Sequence, residues 1–329
     1  MESTPVPSVT YSPPAFENAT IRSSRKKMWI LIPIAVLLVL SASAVLAFHG
    51  YVAWMLARPA IAPLSSNPLL AAGLPYTDVN FTSSDGGSAL DGWFIPAEGS
   101  DKVVIFSHGY GGNREELWVP FYSLAKELNK QHYNVLLFDY GYVQPDLSVT
   151  GGVRESLELQ GAIDFVKRQG MKHTYVWGFS MGAGTALQTA LHSKDIEAMI
   201  LDSTFLLEPD TMFHNIKQQV DLPRFPSLSL IRFFFPILNG TSMDQIPYRT
   251  VKETTYPIPI FFIHGMKDAK APHEVAELIY NNQSSRKSSL WLLPEGRHEL
   301  LYKANKKEYL KRTMAFLNDA SSPLKWASF

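Results

Sequence analysis

Gly178-Phe179-Ser180-Met181-Gly182 sets a serine between two glycines. The stretch Thr174 to Trp177 before it is apolar, and a helical pattern runs from Met181 to His192 after it. A G-x-S-x-G string arises by chance in roughly one chain in ten of this length, so the spacing alone decides little. The setting decides more. Flanking glycines allow a sharp strand-to-helix turn that holds a serine strained and exposed. The helix terminus then offers free N–H groups and positive potential to a developing anion. The chemistry indicated is nucleophilic attack by Ser180 on a carbonyl.

A serine of this kind needs a base from elsewhere in the fold. Of nine histidines, His298 alone follows every predicted strand and precedes the closing helix. His49, His132, His173, His192 and His214 read as surface or packing residues. His264 and His273 flank a candidate acid and read as structural. That acid is Asp268, just after the 258–263 strand, where it would hold the histidine tautomer and stabilise the imidazolium. Asp202, after the preceding strand, is the runner-up. The glycine-rich loop Ser107 to Asn113 follows another strand and suits an oxyanion hole, with the backbone N–H groups of Tyr110 and Met181 as donors. His108 shapes that loop and is not the base.

The elements that must position these residues can be read from periodicity. Residues 77–82 and 89–95 form a predicted hairpin around Ser83-Ser84-Asp85-Gly86-Gly87. Buried-type strands follow at 102–106, 134–138, 174–177, 198–201, 258–263 and 290–293. Helical patterns at 115–128, 156–168, 181–192, 273–280 and 306–317 alternate with them. Such alternation gives an α/β domain with a mostly parallel sheet covered on both faces, and ligands bind beyond the carboxyl ends of its strands.

From Thr77 onward the chain resembles the alpha/beta-hydrolase superfamily. The resemblance rests on His108-Gly109, Gly178 to Gly182, His264-Gly265 with Asp268, and His298, in that order. It is closest in kind to membrane-anchored bacterial hydrolases related to serine aminopeptidase-like and monoglyceride-lipase-like proteins. It implies an eight-stranded sheet with an antiparallel first pair and a Ser180–His298–Asp268 triad. One departure is Asp139-Tyr140-Gly141-Tyr142, where many relatives carry arginine and glycine. That loop borders the pocket in the family, so substrate inference by analogy is weakened.

The remainder divides into a disordered cytoplasmic tail at 1–27, a transmembrane anchor at 28–48, a linker at 49–76 and the hydrolase domain at 77–329. Arg22, Arg25, Lys26 and Lys27 precede the apolar run, so the positive-inside rule places the catalytic domain outside the cytoplasm. A cleaved signal peptide, with small residues at Ala42-Ser43-Ala44 or Val45-Leu46-Ala47, is the alternative and would give a secreted protein. An insertion at about 205–250, rich in Phe and Leu and broken by prolines, suggests short helices forming a lid.

A net charge of zero argues against a nucleic-acid partner, and the absence of cysteine excludes thiol chemistry. No cofactor or metal is called for. The expected reaction is cleavage of a carboxylic ester, thioester or amide of a small-molecule or acyl substrate through an acyl-enzyme. An acyltransferase, and an aminopeptidase-like enzyme using Glu208, Asp210 or Asp244 to hold an amine, are the alternatives. A non-enzymatic binding scaffold is the third.

Overall fold

The structure is a computed structural model that describes residues 7–8, 10–11, 19–116, 118–298 and 300–322. The tail read as disordered lies outside the described residues for most of its length. From Ala19, inside that expected tail, the chain is helical: helix α1 spans Ala19–Leu56. Its stretch Lys27–Leu56 is long and apolar enough to cross a membrane. Contacts divide the chain into two units after Phe48, and the last two turns of α1 belong to the second unit.

The second unit continues with α2 (Pro68–Ala72), β1 (Thr77–Thr82), β2 (Ala89–Ile95), β3 (Lys102–Ser107), α3 (Phe121–Lys130), β4 (Asn134–Phe138) and α4 (Val153–Arg168). Then come β5 (His173–Phe179), α5 (Met181–Ala190), β6 (Ala198–Asp202), α6 (Pro209–Gln219), α7 (Arg224–Asn239) and α8 (Tyr248–Glu253). The chain closes with β7 (Ile260–Gly265), α9 (His273–Asn281), β8 (Ser289–Leu293) and α10 (Leu301–Ala320). The sheet order is β1-β2-β4-β3-β5-β6-β7-β8. Strand β2 runs antiparallel to both its neighbours, and every pairing from β4 through β8 is parallel.

Period-two burial builds both faces. Val103 and Ile105 of β3, Leu136 and Phe138 of β4, and Ile260 and Phe262 of β7 enter one core, with α4, α5 and α9 over them. Val104 and Phe106, Val135 and Leu137, and Phe261 and Ile263 enter the other, under α3 and α10. Successive strand residues point to opposite faces, so a continuous apolar run marks a strand covered on both sides.

Helix α3 begins at Phe121, six residues later than its periodicity suggests. Glu115 and Glu116 are buried in the preceding loop instead, and Pro120 stands where the helix starts. Proline disfavours helical backbone in the residue before it, which keeps Val119 out of the helix.

The insertion forms α6, α7, a short 3₁₀ turn (Met243–Gln245) and α8. Its apolar residues build a small core of their own. Met212, Ile216, Ile231, Phe235 and Met243 bury against Val52, Ala53 and Ala57 from the tail of α1 and the residue beyond it. The expected linker is likewise fastened down: Arg58 donates to Asn239 Oδ1 at 2.6 Å and to the Leu238 carbonyl at 3.1 Å.

Candidate active site

Ser180 sits between β5 and α5 at φ 53°, ψ −117°, a conformation that non-glycine residues adopt only under strain. The turn is this tight because two glycines admit it. A Cβ on Gly182 would fall 2.0 Å from the Ser107 carbonyl oxygen, and one on Gly178 would fall 2.6 Å from Ala183 Cα. The elbow therefore presses directly on the end of β3. Ser107 Oγ reinforces the contact by donating to the Gly182 carbonyl at 2.7 Å. The Ser180 N–H is held by the Asp202 carbonyl at 2.9 Å.

His298 lies in the loop after β8, with its Nε2 2.8 Å from Ser180 Oγ. Its Nδ1 stands 2.6 Å from Asp268 Oδ2, in the loop after β7. The two loops are fastened together: Met266 N–H donates to the Leu293 carbonyl, and Lys267 N–H to the Gly296 carbonyl at 3.0 Å. A carboxylate facing Nδ1 places the proton there, leaving Nε2 to accept from the serine hydroxyl. Ser180 is 5% exposed, so this chain of contacts is recessed from solvent without being sealed.

Asp268 is fully committed. Its Oδ1 accepts the N–H groups of Lys270 and Ala271 at 2.9 and 2.8 Å. Its Oδ2 faces His264 Nε2 at 3.3 Å as well as His298. Burial alone would raise its pKa. The hydrogen bonds from His264, His298 and the Ala271 N–H outweigh burial and hold it well below the ordinary carboxylate value. The runner-up acid has a different environment: Asp202 Oδ2 accepts the Tyr309 hydroxyl at 2.6 Å, and Oδ1 accepts that of Ser203 at 2.8 Å.

The Ser107 to Asn113 loop lies over the elbow. The N–H of Met181 opens α5, at a terminus where the first backbone donors have no carbonyl partner within the helix. Tyr110 follows Gly109, whose carbonyl is held from two sides. His108 Nδ1 lies 3.0 Å from it, and the Tyr142 hydroxyl donates to it at 2.8 Å. His108 Nε2 accepts the Tyr140 N–H at 3.1 Å, so Nδ1 carries the ring proton and donates to Gly109. Burial lowers the His108 pKa to about 4, which keeps the ring neutral. It shapes the loop, as its sequence context suggests.

Sequence reasoning missed the braces. Tyr140 Oη lies 2.5 Å from Ser107 Oγ, and Tyr142 reaches Gly109 from the same β4 loop. Those residues stood out only as a departure from the family pattern, and nothing in their spacing signals a contact 33 residues away. Glu116 is another: its carboxylate accepts the Gly109 N–H at 3.3 Å. The carboxylates considered for amine binding each face a cation of the insertion. Glu208 meets Lys252 at 2.6 Å, Asp244 meets Arg232 at 2.7 Å, and Asp210 meets Arg224. The described residues hold no cluster of three or more His, Asp or Glu suited to a metal ion.

Comparison with known proteins gives four findings. A family model described as the alpha/beta hydrolase fold matches residues 102–230. The uncharacterized protein YfhR of Escherichia coli K12 is 27% identical over 231 residues, covering 67% of this chain and 72% of its own. A lysophosphatidylserine lipase, ABHD12 of Gallus gallus, is 27% identical over 212 residues, covering 60% of this chain and 51% of its own. Among solved structures, the Pyrococcus furiosus esterase Pf2001 superposes with a TM-score of 0.63 at 26% identity, over 79% of this chain and 98% of the esterase.

Proposed function

We propose, from the premise that the chain belongs to the alpha/beta-hydrolase superfamily, that it is a serine hydrolase acting on carboxylic esters. Esterase and lipase neighbours support hydrolase activity. The observation that carries the finer reading is the Asp268–His298–Ser180 relay of 2.6 and 2.8 Å behind a strained elbow.

In this mechanism His298 Nε2 takes the Ser180 proton as Oγ bonds to the carbonyl carbon. The imidazolium that forms is stabilised by Asp268, which stays ionised. The tetrahedral oxyanion is bound by the N–H groups of Tyr110 and Met181, each worth roughly 3 kcal/mol in the transition state. Collapse breaks the bond to the alcohol, which leaves with the proton from His298. Water, activated by the same histidine, then attacks the acyl-enzyme and restores Ser180.

A fluorophosphonate probe tests the reading. Wild-type protein should label, Ser180→Ala should not, and Ser180→Ala or His298→Ala should lower ester turnover by roughly 10⁴-fold or more. Turnover retained in either variant would remove the proposed triad. Release of free acid in the presence of an added alcohol separates hydrolysis from transfer.

We read the enzyme further as membrane-bound, anchored by residues 28–48 within the apolar Lys27–Leu56 helix, with the catalytic domain outside the cytoplasm. Membrane fractionation with N-terminal sequencing tests it. A soluble mature protein beginning near Val45 or Phe48 would overturn the anchor.

A further inference from the structure

Between helix α1 and helix α2 the chain runs along the outside of the Tyr110 loop and touches it at nearly every third residue. The Leu56 carbonyl accepts the Tyr110 hydroxyl at 3.1 Å. Pro59 stands 3.4 Å from where a Gly111 Cβ would project. The Ala62 carbonyl accepts Asn113 Nδ2 at 2.8 Å. Ser65 donates both its N–H and its hydroxyl to the Glu115 carboxylate, each at 2.7 Å. Residues 56 to 65 thus follow residues 110 to 115 in register. On the far side of the same strap, the Ala57 carbonyl accepts the Val149 N–H at 2.8 Å, and Arg58 is held by α7.

We infer that this strap is a positioning element of the active site: residues 56–65 hold the oxyanion loop in the orientation that aims the Tyr110 N–H at the substrate. The inference rests on the proposed hydrolase reading. A glycine-rich loop has many backbone conformations open to it, and an oxyanion donor is useful only when its direction is fixed beforehand. The inner side of the loop is fixed at Gly109 by His108 and Tyr142. The strap supplies the outer side through Tyr110, Asn113 and Glu115. Glu115 carries most of that grip, because its buried carboxylate takes two donors from one strap residue. The segment that reads as a linker is therefore part of the catalytic apparatus. Ester turnover depends on chain that precedes the whole sheet.

The test uses the full chain with Glu115→Ala, Glu115→Gln and Tyr110→Phe. Glutamine keeps an oxygen for the Ser65 N–H and an amide to meet its hydroxyl, whereas alanine keeps neither. Glu115→Ala should lower kcat roughly 10- to 100-fold, with KM within about threefold of wild type. The rate of fluorophosphonate inactivation, which needs the same hole, should fall in parallel, and the acid limb of the pH–rate profile should not move. Glu115→Gln should restore turnover to within about threefold, and Tyr110→Phe should lower kcat about 3- to 10-fold.

A wild-type kcat in Glu115→Ala would overturn the inference, as would an equal loss in Glu115→Gln. Should Glu115→Ala fail to fold, Tyr110→Phe, which deletes one hydroxyl on a partly exposed ring, decides the matter: an unchanged kcat rejects the strap. Ser180→Ala run beside them reports separately, since activity surviving there would sink the hydrolase reading whatever the strap variants do.

Discussion

Asp268 gives one carboxylate oxygen to His298, at 2.6 Å, and closes its own loop with the other. Replacing it by asparagine keeps the volume and presents an amide N–H where an acceptor is needed, so His298 should take the wrong tautomer. Asp268→Asn should lower kcat by roughly 10³- to 10⁴-fold. Asp202→Asn, which answers to Tyr309 and Ser203, should stay within about tenfold. Steady-state kinetics on one p-nitrophenyl ester compares the two. The larger loss falling on Asp202 would reverse the assignment of the acid.

Tyr142 braces the Gly109 carbonyl, so Tyr142→Phe loosens the peptide that ends in the Tyr110 N–H. His108 still holds that carbonyl from the other side. The loss should therefore be partial, about 3- to 10-fold in kcat, with KM unchanged. A rise in KM alone would mean that Tyr142 touches substrate and does not serve the loop.

Gly182→Ala places a methyl group 2.0 Å from the Ser107 carbonyl oxygen. Backbone cannot yield as a side-chain tip can, so the elbow or β3 must shift. The expected cost is about 3 kcal/mol or more, a fall in Tm of roughly 6–12 °C, together with loss of activity. Calorimetry showing a Tm within about 2 °C of wild type would contradict so close an approach.

Glu158 lies buried on α4, accepting the Ser88 hydroxyl at 2.6 Å and the Gly141 N–H at 3.0 Å. Burial raises its pKa from 4.5 to about 7, outweighing those two bonds. Between these values the folded chain holds a proton that the unfolded chain has released. The resulting stability is complete below about pH 4.5 and is lost as the pH rises through about 7, by at most about 3 kcal/mol. Urea midpoints at pH 5 and pH 8 should differ more in wild type than in Glu158→Gln. Parallel behaviour of the two proteins would show that Glu158 is not the titrating group.

The fold was legible wherever one element sufficed to reveal itself. The hairpin at 77–95 and the alternating strands appeared in the sequence because burial on two faces demands unbroken apolar runs. Ser180 was legible because its glycines are adjacent in the chain. His298 and Asp268 could be proposed because topology sends strand ends to one edge. The braces could not be read in this way. Tyr142 meets Gly109 across 33 residues and Ser65 meets Glu115 across 50, and each is a common residue in a turn-like context. Helix α3 was extended too far because 115–119 fits an amphipathic period. Burial of both carboxylates there is a tertiary fact that local periodicity does not carry.

The small core of the insertion also imposes an order in time. Arg58 and its acceptor Asn239 are separated by 181 residues. At about 5–20 residues per second, a ribosome delivers the second on the order of 10–40 s after the first. For that interval Val52, Ala53 and Ala57 have no α6 or α7 to bury against. Strands β1 to β5 can pair in the meantime, while the tail of α1 waits for the insertion. Nascent chains stalled before residue 212 should therefore show a protease-sensitive 52–57 segment beside an already protected β1–β5 region, and release past residue 239 should protect both.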